Sequence, residues 1–451
     1  MSQFKEKKIS TIPENWKLCP LSDVAEFIRG FSYRGSEKNK THGDFSFITL
    51  NSVLEGGGFK KVFSFITSDR LKEKNFVVKG DIVIANTEQT KTGTLLGCPA
   101  LVDFPPNYNK NKSVFSHHIT KVNIISNTST KFLYYCLLYI QPKAVQYHTG
   151  SVIWALDVKN WSKNELIILP PIEEQKLIEK ILSDLDSKIE LNQQMNKTLE
   201  ELGQAIFKHW FIDFEFPNEQ GKPYKSSGGE MVYNEELGKE IPSNSRVINL
   251  GELIELDKGL SYKGAFLTNN EDGLPMVNLG TFRPLGGFND DQMKYYSGEF
   301  KERHLVKSGD LVIANTDITQ NRVILGSPSL IPSYLNSEKI LFTHHVYAVR
   351  NKNNLIKNEF LYYVLQSSEY RNRVKGFATG TTVLALPRDA ILELPIILFD
   401  ESILNNFDKL IKNIIKKIET NYLQILNLSK TRDSLLPKLM SGKIRVPLEA
   451  N

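Results

Sequence analysis

Cysteine is scarce: Cys19, Cys98 and Cys136 are far apart in 451 residues. An odd, scattered set excludes a disulfide framework and fits no zinc-ligand spacing. Long apolar runs are also missing, and none approaches the ~18 to 20 residues of a membrane span. The polar, Lys-rich stretch from Met1 to Pro13 has no apolar core of the kind a secretory signal needs. These absences point to the cytoplasm, with no membrane partner. The signatures of catalysis are missing as well. No GxGxxG fingerprint follows a strand pattern, and there is no P-loop. An adenine methyltransferase would need an Asn- or Asp-Pro-Pro-aromatic motif, whereas Pro105-Pro106 and Pro170-Pro171 stand in FPPN and LPPI. A metal nuclease would need clustered carboxylates, and Asp81 and Asp310 sit in Gly-Asp turns without evident partners. His117 and His118 are neighbours, which on a strand would face opposite ways. No Cys or carboxylate cluster accompanies them, so no metal is expected, and they read as structural or DNA-contacting histidines. No catalytic residue and no cofactor of the chain's own is expected.

What is present is ordinary in bulk and unusual in pattern. Apolar residues make up 41% and charged residues 24%, as in soluble globular proteins. The length allows two or three domains. A net charge of +5 suits a polyanionic partner without requiring one.

The pattern is a long internal repeat. Gly80 to Thr87 reads GDIVIANT, and Gly309 to Thr316, at an offset of 229, reads GDLVIANT. The same offset aligns Leu21 to Gly35 (LSDVAEFIRGFSYRG) with Leu250 to Gly264 (LGELIELDKGLSYKG). FSHH at Phe115 meets FTHH at Phe342, FLYY at Phe132 meets FLYY at Phe360, and GSVIWAL at Gly150 meets GTTVLAL at Gly380. The order is kept throughout, so the chain is a tandem duplication. Between these islands the halves differ, as Thr41 to Ser46 does from Asn270 to Pro275. A shared scaffold with divergent loops suits two related surfaces with different binding preferences.

Within each half, Ile82 to Ala85 and Leu311 to Ala314 read as strands after Gly-Asp turns. Phe132 to Tyr139 and Phe360 to Leu365 read as short helices whose aromatics face a core. A long heptad seam follows in each half. It runs through Ile178, Leu182, Leu185, Ile189, Asn192, Asn196, Leu199, Gly203, Ile206 and Trp210 in the first. In the second it runs through Leu404, Phe407, Ile411, Ile414, Ile418, Asn421, Ile425 and Leu428. Pro170, Pro171 and Pro395 mark the helix starts, and Pro437 and Gly442 the end of the second. The first helix would reach roughly 55 Å. Asparagines in both seams, and net charges of −3 over Glu173 to Trp210 and +2 over Asp400 to Met440, favour pairing of the two helices with each other. Asn218 to Gly229 reads as a turn or a loosely ordered connector. The expected organisation is α+β: two repeated mixed α/β domains (1–170 and 241–395), two long antiparallel coiled-coil helices (171–215 and 396–451) with pseudo-two-fold symmetry, and a linker (216–240).

The repeat, the helices and several strings together resemble the specificity subunit of type I restriction-modification systems, across essentially the whole chain. The strings are IPENWKLCPLSDV from Ile12, LPPIEEQKLIEKI from Leu169, FKHWFIDFEFP from Phe207, YKSSGGEMVYNEELGKEIP from Tyr224 and LLPKLMSGKIRV from Leu435. The resemblance implies that each domain reads one half of a bipartite, asymmetric site on double-stranded DNA. It implies that paired helices space the two readers and dock two methyltransferase subunits, which bind S-adenosylmethionine, and that restriction motor-nuclease subunits join them. One departure stands out: LPIILFDES from Leu394 lacks the PP-x-x-EQ of the first helix entry, which would make docking of the two methyltransferases unequal. A methyltransferase or nuclease acting alone, or a coiled-coil adaptor that binds protein, are the alternatives.

Base edges need hydrogen-bonding side chains and phosphates need cations or hydroxyls. The residues after the GDxVIANT strands are therefore the candidates. In the first half these are Asn86, Thr87, Gln89, Thr90, Lys91 and Thr92, and in the second Asn315, Thr316, Thr319, Gln320, Asn321 and Arg322. The shared Asn86, Thr87, Asn315 and Thr316 are assigned to scaffold or backbone contacts, and the variable residues to base reading. Tyr33, Arg34, Tyr262 and Lys263 suit phosphate contact from glycine-flanked turns. Gly150-Ser151 and Gly380-Thr381-Thr382 offer N–H and hydroxyl groups to a phosphate.

Overall fold

The computed structural model describes residues 12–104, 108, 111–269, 272–318, 322–353, 355–380 and 383–447. The chain divides into two compact units: Met1–Glu190 with Leu426–Asn451, and Leu191–Ile425.

In the first unit, the apolar run Ile82–Ala85 is buried on every residue. It lies inside an antiparallel four-stranded sheet, in the order Ala25–Arg29, Ile119–Ile124, Ile82–Ala85, Pro99–Leu101. Both faces are covered, which is why the strand shows no polar alternation. A five-stranded sheet stands beside it, with the parallel pair Phe45–Ile48 and Lys112–Phe115 near its centre. The chain crosses from one sheet to the other over Ser116 to His118. At this crossing Gly30 lies so close to the opposite backbone that a Cβ would fall 2.2 Å from the Ser116 carbonyl oxygen. The helix Thr130–Ile140 buries Phe132, Leu133, Tyr134, Tyr135 and Leu137, so three of its aromatics belong to the core, while Tyr139 is exposed. Lys17–Pro20 and Leu166–Leu169 form a two-stranded antiparallel closure.

The second unit repeats this plan strand for strand. Leu311–Ala314 is buried between Val346–Asn351 and Pro328–Leu330, and Ile254–Lys258 completes the sheet. The five-stranded sheet again carries a parallel pair, Leu274–Val277 with Ile340–Phe342. Gly259 takes the place of Gly30, its Cβ position 2.3 Å from the Phe342 carbonyl oxygen. Arg246–Asn249 pairs antiparallel with Pro395–Leu398.

The two seams are single helices, Ile172–Phe207 and Glu401–Met440. Their pairing is antiparallel within each unit. In the first unit Ile178 and Leu182 share a buried cluster with Leu436, Leu439 and Met440, and Arg432 Nη1 lies 2.9 Å from Asp186 Oδ1. In the second, Asn192 Nδ2 donates to Gln424 Oε1 at 3.2 Å, and Asn421 Nδ2 donates to Asn196 Oδ1 at 2.9 Å. Each half of each helix thus completes a different core.

Two local expectations change. The second helix does not stop at Pro437 but runs on to Met440. Pro437 is itself exposed and removes one N–H in the last turn, and Gly442, at φ +71°, turns the chain away. The connector Asn218 to Gly229 is ordered: Asn218 Oδ1 accepts from the N–H groups of Gln220 and Lys222, both at 3.0 Å. Tyr224 stacks on the buried Phe216 at 4.6 Å. The hairpin Met231–Asn234 with Lys239–Pro242 follows directly. The Glu-Gln pair of the first helix entry is structural. Glu174 accepts from Trp16 Nε1 at 3.0 Å and pairs with Arg445, while Gln175 accepts from Ser129 N at 3.0 Å. That pair secures its own unit.

Candidate nucleic-acid interface

Four segments of each unit meet at the crossing between its two sheets. In the first unit they are the turn after Ala25–Arg29, the loop after Ile82–Ala85, the Ser116–His118 crossing and the hairpin His148–Thr149 with Trp154–Leu156. Thr87–Glu88 pairs with that hairpin (Trp154↔Glu88, Ala155↔Thr87) and so ties the loop to it. Thr87 Oγ1 lies 2.9 Å from His118 Nδ1, and the Tyr33 ring lies 5.6 Å from the His117 ring. The second unit brings together the same parts: Thr316 Oγ1 is 2.9 Å from His345 Nδ1, and Tyr262 is 6.5 Å from His344.

The shared asparagines are scaffold. Asn86 is buried, and its amide donates to the His117 carbonyl at 3.2 Å and to Thr120 Oγ1 at 2.8 Å. Asn315 is buried likewise and donates to the His344 carbonyl at 3.1 Å. Thr87 and Thr316 face the histidines from the same strand. Gln89, Lys91 and Ser151 are exposed, as are Arg34 and Lys263, while Tyr33 and Tyr262 are half-buried. Gly150 takes φ +88° at the hairpin tip, and Val152 beside Ser151 is 76% exposed. Arg322 is half-buried and already engaged, donating from Nη1 to the Lys375 carbonyl at 2.8 Å. Thr319, Gln320, Asn321, Thr381 and Thr382 lie outside the described residues.

The sequence reading passed over the residue that shapes each loop. Glu88 is 1% exposed and its carboxylate accepts from the N–H groups of Thr92, Gly93, Leu95 and Leu96 and from the hydroxyls of Thr90 and Thr92. Burial pushes this carboxyl up, but those hydrogen bonds outweigh it and hold it down to about 2. Asp317, also 1% exposed, accepts from Ile324 N and Leu325 N at the same place in the second unit. A helix-borne donor closes each loop from below. Gln141 Nε2 donates to the Leu96 carbonyl at 2.9 Å, and Arg371 Nη1 to the Leu325 carbonyl at 2.7 Å. The signal was present in the sequence as an acid following each IANT.

Two further expectations change. Asp81 and Asp310 have cationic partners, Lys121 at 2.7 Å and Arg350 at 3.5 Å, which come from the neighbouring strand. His117 and His118 do not face opposite ways, because they lie on a turn and not in a strand. Their ring centroids are 3.9 Å apart, and those of His344 and His345 are 3.8 Å apart. Among the described residues no group of three or more His, Cys, Asp or Glu side chains is placed to hold a metal ion. Among them, too, no helix is long and apolar enough to cross a membrane.

The chemistry available here is recognition. Polar and cationic side chains project from loops braced by buried carboxylates. Comparison with known proteins agrees. The type I restriction modification DNA specificity domain matches twice, over residues 13–201 and 242–421. The MjaIX specificity subunit of Methanocaldococcus jannaschii is 27% identical over 99% of this chain and 97% of its own length. The HindI specificity subunit of Haemophilus influenzae is 26% identical over 61% of this chain and 68% of its own. The solved S subunit from M. genitalium has the same fold, with a TM-score of 0.56, 16% identity and coverage of 94% and 96% of the two chains. With one specificity domain matched in each repeat, the chain belongs to the type I restriction modification DNA specificity family.

Proposed function

We propose that each repeat reads one short half of a bipartite, asymmetric site on duplex DNA, and that the chain does so for methyltransferase and motor-nuclease subunits that carry the chemistry. The observation behind this reading is the same four-segment surface built twice on one scaffold, with different side chains at its rim. Residues 1–170 and 241–395 are the two readers. Gln89 and Lys91, with Thr319 and Gln320 of the second half, face base edges, where an amide suits adenine and a cation suits guanine. Ile318 is 69% exposed at the position of Gln89, and an apolar side chain there suits a thymine methyl group. Arg34, Tyr33, Lys263, Tyr262 and Ser151, with Thr381 and Thr382, meet phosphates. Arg322 and the Asn86-Thr87 and Asn315-Thr316 pairs position the loops.

The outward faces of the long helices, such as Lys180, Lys197, Lys409 and Lys416, are solvent-exposed and are the proposed docking surface for two methyltransferase subunits. S-adenosylmethionine is bound by those subunits, and the assembly works in the cytoplasm, where its DNA is. A gel-shift series with the methyltransferase partner present tests the reading. Sequence-selective retardation supports it. Binding that ignores sequence, or methyl transfer from labelled S-adenosylmethionine by this chain alone, refutes it.

A further inference from the structure

The paired histidines recur in both units with the same surroundings, their rings tilted by 39° and 41°. Each pair occupies the sheet crossing, latched by the N–H of its first histidine to the facing turn: His117 N to the Phe31 carbonyl at 3.0 Å and His344 N to the Leu260 carbonyl at 2.9 Å. Each leaves the same polar atoms buried without a hydrogen-bond partner, namely His117 Nδ1 and Ser116 Oγ in one unit and His344 Nδ1 and Thr343 Oγ1 in the other. Such orphaned atoms are uncommon, and their recurrence at matched positions marks a place where an external group completes the bonding.

The electrostatics name the charge of that group. The charged neighbours acting on His118 are His117, Arg29 from the adjoining strand and Lys38 from the turn beyond Tyr33. Those acting on His345 are His344, Lys258 and Lys294, the last 5.3 Å from the centre of the Tyr262 ring. Thr87, Thr316, Tyr33 and Tyr262 supply the remaining polar contacts and carry no charge. Burial first, and then these cations, hold His118 and His345 below the ordinary histidine value. An anion placed here offsets those cations and favours the charged imidazole.

We propose that the histidine pairs at the two sheet crossings contact DNA phosphate, and that His118 and His345 take up protons when a duplex binds. This rests on the reading that both units bind DNA. Linkage then requires the converse: affinity rises as pH falls through the interval between the free and bound values, and is flat above the bound value. Each histidine that takes up a full proton steepens the dependence by up to about tenfold per pH unit.

The test is calorimetric titration of the full chain with a short mixed-sequence duplex at low salt, where phosphate contacts dominate. It is run from about pH 8 to about pH 6 in two buffers of different ionisation heat. The expected result is net proton uptake that grows as pH falls, and that is lost in the His118→Gln/His345→Gln variant while binding at high pH persists. If that variant does not fold, Lys38→Gln/Lys294→Gln is expected to move the uptake to higher pH, because losing these cations makes the histidines more basic. Binding with no proton uptake in the unaltered chain overturns the inference and leaves DNA reading intact. Absence of duplex binding at every pH overturns both.

Discussion

Replacing Glu88 by Gln keeps the shape of the side chain and removes its charge. One carboxylate oxygen accepts from Leu95 N at 3.0 Å and Leu96 N at 2.9 Å, and the other from Thr90, Thr92 and Gly93. Whichever way the new amide turns, its NH2 faces at least two donors. Turned toward Leu95 and Leu96, it orphans two backbone N–H groups, at about 1 to 3 kcal/mol each where they are buried. The titration gives a second estimate. Holding this carboxyl at about 2 corresponds to about 3 kcal/mol of stabilisation, or about 2 after allowance for screening near the surface. Because the folded value lies below the unfolded one, that contribution is complete above the ordinary carboxylate range. It is lost as pH falls from there toward 2. The loop-opening free energy of the variant should therefore fall by about 2 to 4 kcal/mol at neutral pH, a rise of roughly 30- to 1000-fold in amide exchange. Exchange at Thr92, Gly93, Leu95 and Leu96, followed by mass spectrometry at residue resolution, reads this directly. Unchanged exchange there would refute the view that the carboxylate shapes the reading loop.

Other perturbations address other parts of the molecule. Asn421→Leu alone should lower unfolding stability by about 1 to 3 kcal/mol, because Asn196 loses its donor. Asn196→Leu/Asn421→Leu together should recover most of that, in a urea-unfolding double-mutant cycle. Burial, then the neighbouring Asp408, raises the Glu359 carboxyl well above its ordinary value. A raised folded value means that stability is complete at acid pH and declines as pH rises toward it. Glu359→Gln should accordingly raise the melting temperature at about pH 8 and leave it unchanged at about pH 4. Exchanging residues 14–168 for the matching segment of a relative should change one half of the methylated target and not the other, as read by methylation-sensitive sequencing. A change in both halves would show that the readers are not independent.

The strands Ile82–Ala85 and Leu311–Ala314 were legible in the sequence to the residue, since burial on both faces leaves an unbroken β-branched run between turn signals. The heptad seams were equally plain, because Asn192 and Asn421 break an otherwise apolar repeat where the structure buries them. What stayed hidden depends on contacts between distant residues. Lys121 reaches Asp81 only once the strands are in register. The histidine rings meet because Ser116 to His118 is a crossing between two sheets, and local periodicity cannot tell a crossing from a strand. Glu88 was overlooked because a lone acid in a loop looks solvated, and its six donors converge only when the loop closes on it.

The hydrophobic interior around Trp161 and Leu182 is finished by Leu436, Leu439 and Met440, encoded more than two hundred residues downstream. A ribosome must therefore pass residue 440 before the first unit can close. Until then its apolar groove stays open to chaperones and to unwanted association. Such remote contacts slow folding, and a premature stop near residue 430 should damage the first reader more severely than the second, against the usual order of synthesis.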